Sequence, residues 1–314
     1  MNFLDINQSY KNAKFVVAPF GFEATTSYGG GTNKGPAAII KASAQVELFD
    51  EELWREIYKK TGIFTLPAIK PAKNIPGAKK QISKIISKIL ADKKIPIVLG
   101  GEHSITPMIV ETFSDFLLPS SRGGHGGVIN PKITSPEPLP KKEGRNSAAS
   151  FSILQFDAHA DLRDGYLGQK YSHAAAMRRC LDNEGVNLVQ VGIRNISNEN
   201  DELVFWEANK DRIKTFWAKD KKNWKLSEIM GSLRENVYLT FDVDAFDSSI
   251  MPSTGTPEPG GLDWYEVMDI LREVAKTKNI IGMDFVELAP IKTLPAPDFL
   301  VAKMIYKTIG YILK

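Results

Sequence analysis

Six residues in three short stretches have the types and spacing to hold divalent metal ions. They are His103 in GGEHS (100–104), Asp157, His159 and Asp161 in DAHAD (157–161), and Asp242 and Asp244 in DVDAFD (242–247). In both Asp-rich stretches the candidate ligands fall on alternate residues, and in an extended segment alternate side chains share a face. Clustered carboxylates repel one another and are costly to take out of water, so a folded chain keeps them mainly where cations neutralise them. Four carboxylates and two imidazoles are too many for a closed tetrahedral zinc site. With shared carboxylates they suit two metals at about 3.5–4 Å. Oxygen-rich ligation with some imidazole and no thiolate favours Mn²⁺ over softer metals. A fourth stretch, SHAAAMRR (172–179), adds His173.

Each piece alone has a plainer reading. A lone Asp-x-Asp often caps a helix or closes a turn, and an isolated His103 or His173 would pack or cap. A His between two Asp, as in DAHAD, has no evident capping purpose. The combination is what points to a dinuclear site.

The elements that must position these groups can be read from hydrophobic patterning. Apolar runs at 14–19, 95–99, 152–156, 188–193, 213–218, 237–241 and 280–285 predict strands, several of them rich enough in Val, Ile, Leu and Phe to be buried on both faces. Helical periodicity is clear at 78–90 and 263–275, and 302–313 reads as a closing helix. Strand–helix alternation predicts an α/β fold, a mainly parallel sheet with helices on both sides. His103, Asp157, Asp242 and Glu287 then follow or end strands, and ligands of open α/β sheets bind outside the carboxyl ends of strands. Gly100 and Gly101 fit a tight strand exit beside the metals.

The 314 residues, 43% hydrophobic and 25% charged, are read as one domain over 1–314. A net charge of +3 is too small to point to nucleic acid or a membrane surface, and no apolar run approaches membrane-spanning length. The single cysteine, Cys180, rules out an internal disulfide and fits a cytoplasmic protein. Residues 118–150 carry five Gly, five Pro and five Ser. They read as a surface loop insertion, entering the next strand at the end opposite the site, with His125 a solvated loop residue.

GGEHSIT, QFDAHADLRD, SHAAAMRR, LTFDVDAFDSSIMPSTGTPEPGGL and GMDFVELAP, in this order, resemble the ureohydrolase (arginase/agmatinase) family. TTSYGGGTNKGPAAIIKAS and APDFLVAKMIY are similar to that family too, so the resemblance covers nearly the whole chain except 118–150. It implies a three-layer α/β/α fold, two Mn²⁺ per subunit and hydrolysis of a guanidinium group to urea. By motif position, His103, Asp157, Asp161 and Asp242 would hold one metal. Asp157, His159, Asp242 and Asp244 would hold the other, with Asp157 and Asp242 bridging. The resemblance gives Glu287 the role of guanidinium binder and His173 that of proton shuttle, and it places Asp161 with these catalytic groups as well as with the ligands. It further implies a homo-oligomer, trimeric or hexameric.

These roles make chemical sense. A guanidinium is a poor electrophile for neutral water, and two metals would lower the pKa of a shared water. A carboxylate can hold the planar cation in a bidentate fork. The departing amine needs a proton, which a group titrating near ~6.5 can supply. The loop after DAHAD reads LRDGYLGQKYS and lacks the Asn/Ser-rich pattern that grips an amino acid's carboxylate and amino group in arginine-specific members. Agmatine, giving putrescine and urea, is the expected substrate, with Asp164 a candidate anchor for its amine. Alternatives are guanidinobutyrate, arginine, a formimidoyl compound, or a catalytically silent metal-binding assembly subunit.

Overall fold

The computed structural model describes residues 1–117 and 150–313. The expected loop insertion, His125 included, lies outside the described residues except for Ser150. Eight strands form one sheet: β1 (Ala13–Phe20), β2 (Gly62–Thr65), β3 (Ile95–Gly100), β4 (Phe151–Phe156), β5 (Val186–Ile193), β6 (Ile213–Trp217), β7 (Asn236–Asp242) and β8 (Asn279–Val286). Every neighbouring pair runs parallel. Their order across the sheet is β2-β1-β3-β8-β7-β4-β5-β6. All seven expected strands are present, within a few residues of their expected ends. The one strand of this sheet that was missed, β2, has four residues at its edge with alternating burial, too short to stand out in the sequence.

The sheet is covered on both sides, which is why its central strands are continuously apolar. In β4, all six residues are buried. Alternate residues go to opposite layers. Leu154, Phe156, Leu239 and Phe241 join one core with Ile39, Val267, Leu271, Val301 and Ile305. Phe151, Ile153 and Tyr238 join the other with Ile82, Ile86, Ile105 and Ile109. The helices Gly35–Ser43, Trp264–Thr277 and Ala296–Ile312 therefore cover one face, and Ile75–Ala91 and Ile105–Leu117 the other. This is the three-layer α/β/α arrangement.

Helix boundaries follow local chemistry. Asp263 is not the first residue of its helix but its cap, in a reciprocal capping box with Glu266. The last helix begins at Ala296, earlier than its apolar period suggests, because Pro297 is tolerated in a first turn. Among the described residues no helix is long and apolar enough to cross a membrane. Cys180 is buried and unpaired, and burial pushes its thiol pKa well up.

Candidate metal centre

β3, β8, β7 and β4 are consecutive neighbours in the middle of the sheet. His103, Glu287, Asp242 and Asp157 lie at or just beyond their carboxyl ends. With strands about 4.8 Å apart, four adjacent ends span roughly 15 Å. Residues over a hundred positions apart are thereby delivered to one place.

His103 is the hub. Its Nδ1 lies 3.2 Å from Asp157 Oδ2, 3.1 Å from Asp161 Oδ2 and 3.3 Å from Asp242 Oδ2. Yet Nδ1 has no hydrogen-bond partner, although it is buried. The other ring nitrogen explains this. Nε2 is 3.0 Å from Thr240 Oγ1, and Thr240 donates its own proton to Asp284 Oδ1 at 2.7 Å. A hydroxyl whose proton is committed can only accept, so the proton of neutral His103 sits on Nε2 and the Nδ1 lone pair faces three carboxylates. Lone pairs converging on one point suit a cation, which can satisfy all four groups at once. Asp284 is locked by two further donors, Tyr238 OH at 2.7 Å and Thr106 Oγ1 at 3.0 Å. Such outer partners fix the tautomer and orientation of a metal-ligating histidine.

A second group forms around His159, whose Nδ1 is 3.0 Å from Asp244 Oδ2 and 3.6 Å from Asp157 Oδ1. The donor atoms thus fall into two clusters able to hold an ion, His103/Asp157/Asp242 and Asp157/His159/Asp244. Asp157 belongs to both. Asp161 completes the first through its contact with His103.

The turn-forming reading of these aspartates is also true, of the other oxygen. Asp242 Oδ1 accepts from Asp244 N at 3.0 Å and caps the short turn Val243–Ala245. Asp157 Oδ1 accepts from His159 N at 2.6 Å, and Asp244 Oδ1 from Ala158 N at 2.9 Å. One oxygen of each carboxylate fixes the backbone, and its partner is left for the site.

Charge in this pocket is unstable without cations. Burial, with Asp157 beside it, raises the Asp161 pKa to about 7, and burial with Asp244 and Asp157 pushes Asp242 well above the carboxylate range. Burial opposes protonation of both imidazoles, but it is outweighed. Asp157, Asp161 and Asp242 hold His103 well above its ordinary value, while Asp244 and Asp157 raise His159 to about 12. In the metal-free protein, protons thus occupy places that suit metal ions.

Glu287 and His173 complete the cavity, which has a volume of about 390 Å³ and is also lined by His103, His159, Asp161, Asp242 and Asp244. Glu287 Oε1 accepts from His103 N at 2.7 Å, and burial, aided by Glu102, raises its pKa to about 8. Asp161 and Glu287 both adopt left-handed backbone, with φ of 54° and 64°. Such conformations cost on the order of 1–3 kcal/mol in non-glycine residues and gather at functional sites. Asp164 is not among the cavity-lining residues. Its carboxylate is taken by Arg179 at 2.7 Å, so the expected amine anchor is replaced by an ion pair.

The sequence profile of the arginase family matches residues 13–310. The chain belongs to the arginase family. It is 34% identical over 311 residues to an N(1)-aminopropylagmatine ureohydrolase of Synechocystis sp., covering 96% of this chain and 90% of that one. It is 30% identical over 306 residues to an agmatinase of Pyrococcus horikoshii, covering 96% and 92%. Its fold matches the crystal structure of the agmatine ureohydrolase of Thermoplasma volcanium with a TM-score of 0.80 at 26% identity, over 99% of this chain and 94% of that one. This chain is accordingly an arginase-family hydrolase.

The six candidate ligands, His173 and Glu287 of this arginase-family chain border the cavity or its two ligand clusters, and Asp164 does not. What went unnoticed is the support beneath them: Thr240 and Asp284 behind His103, and Thr25 and Glu102 behind His173. Asp284 did leave a signal, a single acid in the strand NIIGMDFV, which after its first residue is otherwise apolar. Thr25 left none. Gly101 matters for a different reason from the one expected: a Cβ there would collide with the Phe22 carbonyl, so the glycine permits close passage of the loop after β1.

Proposed function

We propose that this protein, as a single domain with two Mn²⁺, hydrolyses the guanidinium of an agmatine-like amine to urea and the corresponding amine. The observation that carries the reading is the convergence on one cavity of two ligand clusters sharing Asp157, with Glu287 and His173 at their side. Metals held by His103, Asp161 and Asp242 with Asp157, and by His159 and Asp244 with Asp157 and Asp242, would supply an activated water and neutralise the carboxylates.

The chain's own residues do the rest. Glu287 is fixed by the His103 backbone N–H through Oε1, which leaves its carboxyl oriented toward the cavity. A guanidinium placed there favours its ionised form and is oriented in turn, its carbon held for attack. Hydrolysis converts R–NH–C(NH₂)₂⁺ and water into R–NH₃⁺ and urea, so the departing nitrogen gains the two protons of the water. Burial lowers the pKa of His173, which makes its protonated form readier to give up a proton to the departing amine.

The substrate's tail is the finer part of the proposal. Glu258 also lines the cavity, which favours an amine terminus, and the similarity to an aminopropylagmatine ureohydrolase and an agmatinase supports it. One observation favours a second reading. Arg163 lines the cavity too and could meet the carboxylate of arginine or guanidinobutyrate. Its guanidinium, however, lies 3.7 Å from Glu202 Oε2 and is stacked 4.6 Å over Tyr166, so its charge is already balanced.

The proposal includes a cytoplasmic homo-oligomer, trimer or hexamer, supported by the lone unpaired cysteine and by exposed Trp54 and Tyr265; light scattering would count the subunits. The decisive assay is urea release by the Mn²⁺-loaded protein from agmatine, N(1)-aminopropylagmatine, arginine and guanidinobutyrate, with Asp157→Asn, Glu287→Gln and His173→Ala as controls. A preference of at least about tenfold in kcat/KM for the amine-ended compounds is expected. Preference for the acids would move the tail to Arg163. No urea from any compound, with metal bound, would refute the reading.

A further inference from the structure

His173 rests on a buried structure that its proposed role does not itself require. Its Nδ1 is 3.3 Å from Thr25 Oγ1, and its backbone N–H donates to the same oxygen at 3.1 Å. Thr25 Oγ1 in turn donates to Glu102 Oε1 at 3.0 Å. Glu102 is wholly buried and also accepts from Ala24 N at 2.8 Å, Thr25 N at 2.6 Å and the Ser104 hydroxyl. Four donors converge on this one carboxyl group, so it acts as the acceptor.

The donor count settles the direction of each bond. A threonine hydroxyl has one proton and two lone pairs. Its proton goes to Glu102, and one lone pair receives the His173 backbone N–H. Only a lone pair remains for the imidazole, so Nδ1 must be the donor. The same order of groups, histidine, threonine, buried carboxylate, stands behind His103 through Thr240 and Asp284. There it frees Nδ1 for the ligand cluster; at His173 it acts on the opposite nitrogen.

We propose that Thr25 and Glu102 are positioning residues that hold His173 as its Nδ1–H tautomer and present Nε2 to the cavity as the nitrogen that exchanges the proton with substrate. This rests on the proposed shuttle role of His173. When Nε2 takes up a proton, the positive charge is held at Nδ1–H by the Thr25 hydroxyl, with Glu102 behind it. This is the logic by which an orienting carboxylate serves a catalytic histidine. Nearby Glu102 favours the charged imidazole, against burial.

The test starts with the wild-type chain, whose four histidines make ¹⁵N imidazole spectra readily assignable. Diamagnetic Mg²⁺-loaded protein at a pH of about 8, where His173 is neutral, should show the proton of His173 on Nδ1. An Nε2–H form in the wild type overturns the proposal before any variant is made. Thr25→Val should then shift His173 toward Nε2–H. In the Mn²⁺-loaded enzyme it should lower kcat by about 10–100-fold, part of the contribution of a general acid–base group, with KM and metal content nearly unchanged. Thr25→Ser, which restores the hydroxyl, should recover the wild-type tautomer and most of kcat. If Thr25→Val keeps the Nδ1–H form, or if Thr25→Ser behaves like Thr25→Val, the relay is wrong. Full activity in His173→Ala would instead overturn the shuttle role, and the spectra would still decide whether Thr25 sets the tautomer.

Discussion

Replacing Thr240 by valine tests whether the metal site depends on the tautomer of His103. The side chains are nearly the same size, and Thr240 is buried with no exposed surface, so the change removes a hydroxyl and little else. The bonds from His103 Nε2 at 3.0 Å and to Asp284 Oδ1 at 2.7 Å are lost, with a long contact to Thr106 Oγ1 at 3.4 Å. Asp284 keeps Tyr238 and Thr106, but the buried Nε2–H has no other partner. An orphaned buried donor costs about 1–3 kcal/mol. His103 can avoid that cost by moving its proton to Nδ1, where Asp157, Asp161 and Asp242 lie 3.1–3.3 Å away. That tautomer has no lone pair for a metal. Loss of an outer partner typically weakens metal affinity about 10–100-fold, or roughly 1.4–2.8 kcal/mol. Only the first cluster contains His103, so competition with a chelator should show one weakened Mn²⁺ equivalent and one near wild type. Thr240→Ser should restore both. If both equivalents stay within about twofold of wild type, roughly 0.4 kcal/mol, the tautomer argument is refuted.

Three further expectations follow from the same geometry. Gly101→Ala should destabilise the protein by about 1–3 kcal/mol, the usual cost of overpacking, read as a lower denaturant midpoint, because its methyl meets the Phe22 carbonyl. The metal-free protein should lose stability as pH rises. His159, raised to about 12, contributes fully below about 6.5 and progressively less above it. Asp161 and Glu287, raised to about 7 and about 8, become costly to ionise as pH climbs from about 4 toward those values. The Tm of metal-free protein should therefore fall between about pH 5 and 8 while bound Mn²⁺ restores it; a flat profile would contradict this charge balance. Asp164→Asn should leave KM for agmatine unchanged, since the carboxylate pairs with Arg179 outside the cavity; a rise of about tenfold would return it to substrate binding.

Residue type and spacing alone determined much of this protein. Apolar runs marked seven of the eight strands because central strands buried on both faces need no polar residue. The alternation in DAHAD and DVDAFD marked candidate ligands because few other roles concentrate acids and a histidine at the end of an apolar run. Strand order was not legible, since pairing between distant segments has no local signature. It took the tertiary structure to place β3, β8, β7 and β4 side by side and so bring His103, Glu287, Asp242 and Asp157 together. The division of each aspartate into one oxygen for the backbone and one for the site was equally hidden. So were the relays through Thr240 to Asp284 and through Thr25 to Glu102. A threonine's identity says nothing about where its single proton goes; that depends on which acceptors the fold brings within about 3 Å, and only packing decides it.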